Sequence, residues 1–205
     1  MKSTFTLPPV FVLLLGSLGI HAEEPASKSY LSIEGGYSLQ QSVTIKETGQ
    51  KASFDPGLRI DLAIGTRSPK NVSVELDVGV IYNSMKKVNG EPLFSEDIKL
   101  DAFEIPLMLD FLYNFPKLGP VTIYAGGGIG AVWGIYTGND TTIFGFGTDI
   151  TFGYQGIAGI NYALSDRCDL GVVYKFLGTT DHDMAAFKTD GTMTHCFLAK
   201  LTFKF

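Results

Sequence analysis

Apolar and polar residues alternate with period two along eight segments of the chain, the signature of strands with one apolar face. In YLSIEGGYSLQ, Leu31, Ile33, Tyr37 and Leu39 share one face, and Ser32, Glu34, Ser38 and Gln40 share the other. GLRIDLAIG sets Leu58, Ile60, Leu62 and Ile64 against Arg59, Asp61 and Ala63. NVSVELDVGVIYN sets Val72, Val74, Leu76, Val78, Val80 and Tyr82 against Ser73, Glu75, Asp77 and Gly79. DAFEIPLMLDFLYNF sets Phe103, Ile105, Leu107, Leu109, Phe111 and Tyr113 against Glu104, Pro106, Met108 and Asp110. PVTIYAGGGIGAVW and ITFGYQGIAGINYA are richer in glycine, and CDLGVVYKF and THCFLAKLTFKF complete the set.

The connections alternate as strictly as the residues. RSPKN (67–71), NFPKLG (114–119) and LSDR (164–167) are short turns carrying Pro, Gly, Asn or Asp. Gln41–Asp55, Ser84–Asp97, Gly134–Asp149 and Gly178–Thr192 are long. Four long loops and three short turns leave both termini on the short-turn side.

Every strand has an apolar face, and no helical pattern is available to cover it. A closed barrel with that face in lipid pairs all backbone groups and leaves no edge. Period two does not say which face is inside, because a lipocalin-type barrel keeps its apolar face within. The aromatic residues, together with the aromatic C-terminal strand, tip the choice. Trp133, Tyr82, Phe152 and Phe176 fall near the long-loop ends, and Tyr113, Tyr162, Phe203 and Phe205 near the short-turn ends, all on the apolar face. Two aromatic belts suit two bilayer interfaces. The expected fold is all-β: an eight-stranded antiparallel up-and-down transmembrane β-barrel. Its short turns and both termini would be periplasmic and its long loops extracellular.

Composition adds the compartment. Lys2 precedes an apolar run of 14 residues, Leu7 to Ile20, and then His21-Ala22. This reads as a cleaved signal peptide over residues 1–22, too short for a comfortable helical span. Residues 23–205 then form one barrel domain. The net charge of −5 argues against a nucleic-acid partner. The two cysteines invite a disulfide in an exported chain. A hairpin centred near Ala186 sets Cys168 opposite Phe205 and Cys196 opposite Leu177, about 30 Å apart on opposite faces, so no bridge is expected.

The closing segment FLAKLTFKF ends on Phe205, with Phe203, Leu201 and Ala199 in the outward pattern. It resembles the last strand of bacterial outer-membrane barrels. EIPLMLDFLYNF, YAGGGIGAVWG and FGYQGIAGINYALSDRCDLGVVYKF are similar to the small outer-membrane protein β-barrel domain family, whose relatives include the opacity proteins, OmpX and the membrane domain of OmpA. The resemblance spans the whole mature chain. It implies a location in the bacterial outer membrane and a barrel-insertion signal at Phe203 and Phe205. It also implies an encounter with the barrel-assembly machinery. The peptidoglycan-binding domain of full-length OmpA is not present in this sequence, so a tethering role is not implied. Pro106 departs from the ladder pattern, because a proline removes one donor, and a bulge or weak pairing is expected there.

The polar faces carry the candidate chemistry. Glu34, Arg59, Asp61, Glu75, Asp77, Glu104, Asp110, Asp169, Lys175, Lys200 and Lys204 all fall on inward positions. A turn centred on Ser68 would set Arg59 opposite Asp77 and Asp61 opposite Glu75. Such a lumen network is a structural plug or a proton or cation relay, and eight strands leave an interior that side chains fill, which favours the plug. The run Gly126, Gly127, Gly128 and Gly130 has no GKS/T ending and reads as a smooth wall rather than a phosphate cradle. His195 and Cys196 are strand neighbours, so they point to opposite faces and make no base–nucleophile pair. Asp181-His182-Asp183 reads as a solvated loop run rather than a metal site. Asn71-Val72-Ser73 and Asn139-Asp140-Thr141 match a glycosylation pattern that means little in a bacterial barrel.

The expected protein is therefore non-enzymatic and needs no cofactor or metal. It contacts outer-membrane lipid and plays a structural or adhesin-like part through its four extracellular loops. Leu93, Phe94, Ile143, Phe144, Phe146 and Phe187 would offer apolar contacts there. Two other classes stand beside this one: a narrow porin-like channel, and an outer-leaflet lipid-modifying enzyme.

Overall fold

The structure is a computed structural model that describes residues 28–46, 49–88, 91–92, 100–138, 147–183 and 188–205. The proposed leader and the loop residues Leu93, Phe94, Asn139, Asp140, Thr141, Ile143, Phe144, Phe146 and Phe187 lie outside these. Among the described residues thirteen strands run in chain order. They are β1 (Lys28–Gln40), β2 (Val43–Ile45), β3 (Gln50–Phe54), β4 (Gly57–Arg67), β5 (Val72–Val88), β6 (Glu91–Pro92) and β7 (Leu100–Asn114). Then come β8 (Val121–Gly138), β9 (Gly147–Ala163), β10 (Cys168–Thr179), β11 (His182–Asp183), β12 (Lys188–Thr189) and β13 (Met193–Lys204). No described residue is helical.

Eight of the strands close a ring. β1 pairs with β4, β4 with β5, β5 with β7, β7 with β8, β8 with β9, β9 with β10, β10 with β13, and β13 with β1, all antiparallel. Closure pairs the first strand with the last, so no barrel strand is left as an edge. The ends meet too, with the Phe205 N–H donating to the Ser29 carbonyl. Both described termini therefore lie at the short-turn end. Asn71, at φ 65°, takes the left-handed position in the first short turn, and Gly119, at φ 63°, takes it in the second. Asn and Gly tolerate that region best.

The alternation read from the sequence is the alternation of burial. On β4, Arg59 is 0 % exposed while its neighbour Ile60 is 63 % exposed. The apolar set faces outward: Leu58, Leu62, Leu76, Leu109, Phe111 and Val172 among many. Such a surface is stable only against lipid. Trp133 and Phe152 are exposed toward the long-loop end, and Tyr113, Tyr162, Phe203 and Phe205 toward the other. Tyr82 and Phe176 are half-buried in the wall.

Two expectations about pairing need correction. β4 and β5 are slipped by four residues from the predicted register: Arg59 lies opposite Ile81, Asp61 opposite Gly79, and Asp77 opposite Ala63. The turn is centred on Lys70, not Ser68, because Asn71 supplies the left-handed position. β10 and β13 are slipped by two, with Cys168 opposite Phe203 and Cys196 opposite Lys175. Both slips are even, so every side chain keeps its face. The cysteines are free, seven positions apart along the ladder, or about 23 Å at strand rise. At Pro106 the β5–β7 ladder lapses between Val78↔Leu107 and Ile81↔Glu104, with the same register on both sides, so the pairing is weak and there is no bulge.

The long loops are more regular than the sequence suggests. β5, β8 and β9 continue past the predicted loop boundaries. β11, β12, β2, β3 and β5 pair in that order, so the first and fourth loops form one tier above the barrel wall. Its inward residues Val43, Ala52, His182 and Thr189 are buried.

Candidate functional site

The middle of the lumen is a bonded cluster of charges donated by strands across the bore. Lys175 on β10 is its centre. Its Nζ lies 2.7 Å from Glu34 Oε2 on β1, 2.8 Å from Asp61 Oδ2 on β4 and 2.6 Å from Asp77 Oδ2 on β5. Lys200 on β13 binds Glu34 Oε1 at 3.0 Å and Glu75 Oε1 at 3.4 Å. The Tyr30 hydroxyl donates to Glu75 at 2.6 Å. Arg59 Nε donates to both oxygens of Asp61, at 2.8 and 2.9 Å, and its Nη2 lies 3.8 Å from Asp77. The even register slip therefore removes the predicted directly opposed Arg59–Asp77 pair, yet a long diagonal reach keeps the two groups near each other. Asp61 and Glu75 are not opposed; Gly79 and Gly65 take those places.

Ten of the eleven sequence-derived lumen residues are buried, and Lys204 is half-buried. They do not all join. Asp169 and Lys204 form a separate pair at 2.7 Å near the short-turn end. Asp110 reaches the cluster only through Gln155, whose Nε2 donates to it at 2.8 and 3.0 Å. Glu104 stands apart. Ile81, Met108, Val132 and Leu177 form an apolar group on the strands around it, and neither Glu104 oxygen accepts a hydrogen bond. The Thr192 hydroxyl is its polar neighbour.

Carboxylates thus outnumber cations inside. Glu34, Asp61, Glu75, Asp77, Glu104, Asp110 and Asp169 face Arg59, Lys175, Lys200 and Lys204. Such charges stay buried only because most are paired and bonded. Among the described residues no group of three or more His, Cys, Asp or Glu side chains is arranged to hold a metal ion.

Several participants were not singled out in the sequence. Gln155 links Asp110 to Arg59, through its Oε1 at 3.4 Å from Arg59 Nη2. Tyr30 and Tyr124 cap Glu75 and Lys200, the Lys200 Nζ lying 5.3 Å from the Tyr124 ring centre. The available signal was parity: Thr151, Gln155 and Asn161 fall on one face of β9, and all are buried. The glycines make room for these groups. A Cβ at Gly128 would collide with the Asp110 carboxylate, and one at Gly159 with the Tyr124 ring. Tyr124 therefore packs over Gly159, its cross-strand neighbour on β9, rather than over the Gly126–Gly130 run of its own strand.

The other motifs resolve plainly. Cys196 points inward, its Sγ 3.7 Å from Arg59 Nη1. His195 sits half-buried on the opposite face, with Tyr174 Oη at 2.7 Å from Nδ1 and Gln41 Nε2 at 2.9 Å from Nε2. Asp181-His182 is not a solvated run. His182 is fully buried, against Thr179 at the end of β10. Asp181 remains exposed and pairs with Lys46 of the first loop. That hydrogen bond holds the Asp181 carboxyl below its ordinary value and raises the Lys46 ammonium above its own.

Comparison with known proteins agrees with this architecture. The pattern of the outer membrane protein beta-barrel domain matches residues 10–205. Among curated proteins none matches the sequence. Of solved structures, Neisserial surface protein A is 16 % identical with a TM-score of 0.54, covering 86 % of this chain and 97 % of its own. OprG from Pseudomonas aeruginosa is 13 % identical with a TM-score of 0.55, covering 87 % and 97 %. Ail, the attachment invasion locus protein of Yersinia pestis, solved with the heparin analogue sucrose octasulfate, is 12 % identical with a TM-score of 0.52, covering 87 % and 99 %. At these identities the likeness is one of fold.

Proposed function

The chain belongs to the outer membrane protein beta-barrel domain family, and on that premise we propose that it is a plugged barrel of the bacterial outer membrane, acting through its long-loop end rather than its bore. In this reading the leader is cleaved, and the short turns and both termini are periplasmic. Phe203 and Phe205 serve as the insertion signal for the assembly machinery. Lys175 carries the reading: one ammonium is held by carboxylates of three other strands, the farthest, β5, directly across the lumen. A bore crossed by buried ion pairs has no continuous water path, since opening it strands charges in a low dielectric. Planar-bilayer recording of the refolded protein, residues 23–205, tests this. Silence from protein shown to be folded and inserted is the expected result; discrete, reproducible steps overturn the plug.

The companion part of the proposal is attachment. The first and fourth loops are joined into one stiffened tier, which suits the presentation of a fixed surface. Ail, of the same fold, is an attachment protein, and its structure holds a sulfated sugar. Display of this chain on a non-adherent bacterium should raise binding to an immobilised matrix; counts equal to those of the empty host sink the idea. A narrow cation-preferring pore is the second reading, favoured by the surplus of carboxylates, and the same recording decides it. No reaction is assigned. His195 and Cys196 face opposite sides of the wall, each with other partners.

A further inference from the structure

The fourth long loop is anchored by one imidazole. His182 Nε2 lies 3.0 Å from Thr179 Oγ1, at the end of β10. Thr179 Oγ1 in turn lies 3.0 Å from Thr192 Oγ1 and accepts the Thr192 N–H at 2.8 Å, just before β13 begins. His182 Nδ1 lies 3.7 Å from Asp149 Oδ2 on β9. A single buried ring therefore meets the strand that enters the loop and faces the neighbouring strand, and through Thr179 it is linked to the segment that leaves the loop.

The charges around it are few. Among the described residues, Asp149 on β9 and Asp181 on its own segment act on it. Across the β11–β12 ladder stands Thr189, and from β10 and the approach to β13 come Thr179 and Thr192, all uncharged. Asp181 is itself engaged by Lys46. Burial depresses the His182 pKa, and the two carboxylates raise it less than burial lowers it.

We propose that His182 is a pH-sensitive latch for the long-loop tier: neutral, it holds β11 and β12 against the barrel, and protonated, it releases them. The direction follows from charge. A ring without solvent contact, with its carboxylate beyond hydrogen-bond distance, is poorly placed to carry a proton's charge, whereas a released ring meets water. The latch is fully closed above the ordinary histidine value near 6.5 and loosens as pH falls through its own lower value. Each unit between the latched and released values is a factor of about ten in the opening equilibrium. The barrel wall, held by its own ladders, is unaffected. This inference is independent of whether the lumen conducts.

Hydrogen exchange of the protein in lipid nanodiscs, at pH 8 and pH 5 with exchange times scaled for intrinsic chemistry, reads the latch directly. The amides of Gln41, Lys46 and Asp190 bond across the two loops, to Met193, Lys188 and Thr44. They should lose protection about tenfold at pH 5 for a one-unit difference, while barrel amides keep theirs. His182→Gln should abolish the pH dependence. Asp149→Asn should move the transition to lower pH, since a carboxylate that favours the charged ring is gone. Unchanged protection in the unaltered protein, or the same loss in His182→Gln, overturns the latch. Should His182→Gln fail to insert, Asp149→Asn still decides: a midpoint that stays or rises overturns it.

Discussion

At the scale of single residues the lumen divides its charges into those that are held and one that is not. Lys175 neutralises Glu34, Asp61 and Asp77 together. Lys175→Met leaves those carboxylates short of a cation in a dry interior. The expected loss is about 3–5 kcal/mol in denaturant unfolding from vesicles. Arg59→Ala should lower the thermal midpoint for the same reason, through Asp61. Glu104 behaves oppositely. No cation among the described residues pairs with it, so Glu104→Gln, which keeps an acceptor for the Thr192 hydroxyl, should leave the unfolding midpoint unchanged or higher; a clear drop would reveal a charged partner. Which residues enter the bore was legible in the sequence, because parity alone decides it. Which of them bond was not. Arg59 bonds Asp61, its same-face neighbour two residues along the strand, but Lys175 reaches across the lumen, and no local pattern encodes that contact.

At the scale of elements the legible and the illegible separate along the same line. Every strand face was readable, since the lipid side tolerates only apolar residues. Register was not, because a shift of two or four residues leaves both faces unchanged. Asn71 was the clue to the β4–β5 register, visible only once its left-handed backbone is known. The extension of β5, β8 and β9 into the loops was hidden because the sequence there, SMKKV after Asn83 and GIYTG after Trp133, loses the apolar–polar alternation. Pro106 illustrates an element-level cost. The lapse in pairing falls on its β5 side, opposite Gly79 and Val80, while pairing with Val132 of β8 is kept. Pro106→Ala restores a donor toward β5. The amide at position 106 should then exchange slowly, with protection comparable to that at Met108; fast exchange there would place the cause of the gap elsewhere.

At the scale of the whole molecule, closure and charge pairing are the same event. Glu34, Asp61 and Asp77 lie on β1, β4 and β5, neighbours along the ring, while Lys175 lies on β10 beyond β13. An open sheet in lipid would pair its backbone almost as well and still leave these charges unmatched. The contacts across the bore then have a mechanical meaning. A hollow tube under lateral pressure flattens into an ellipse by bending its wall, which ladders resist weakly. Here Lys175 and Lys200 act as transverse struts, and an oval cross-section must stretch or compress them. Stiffness against ovalisation is thus set by what fills the tube and not by the wall, and a membrane under changing tension would find this cylinder nearly round.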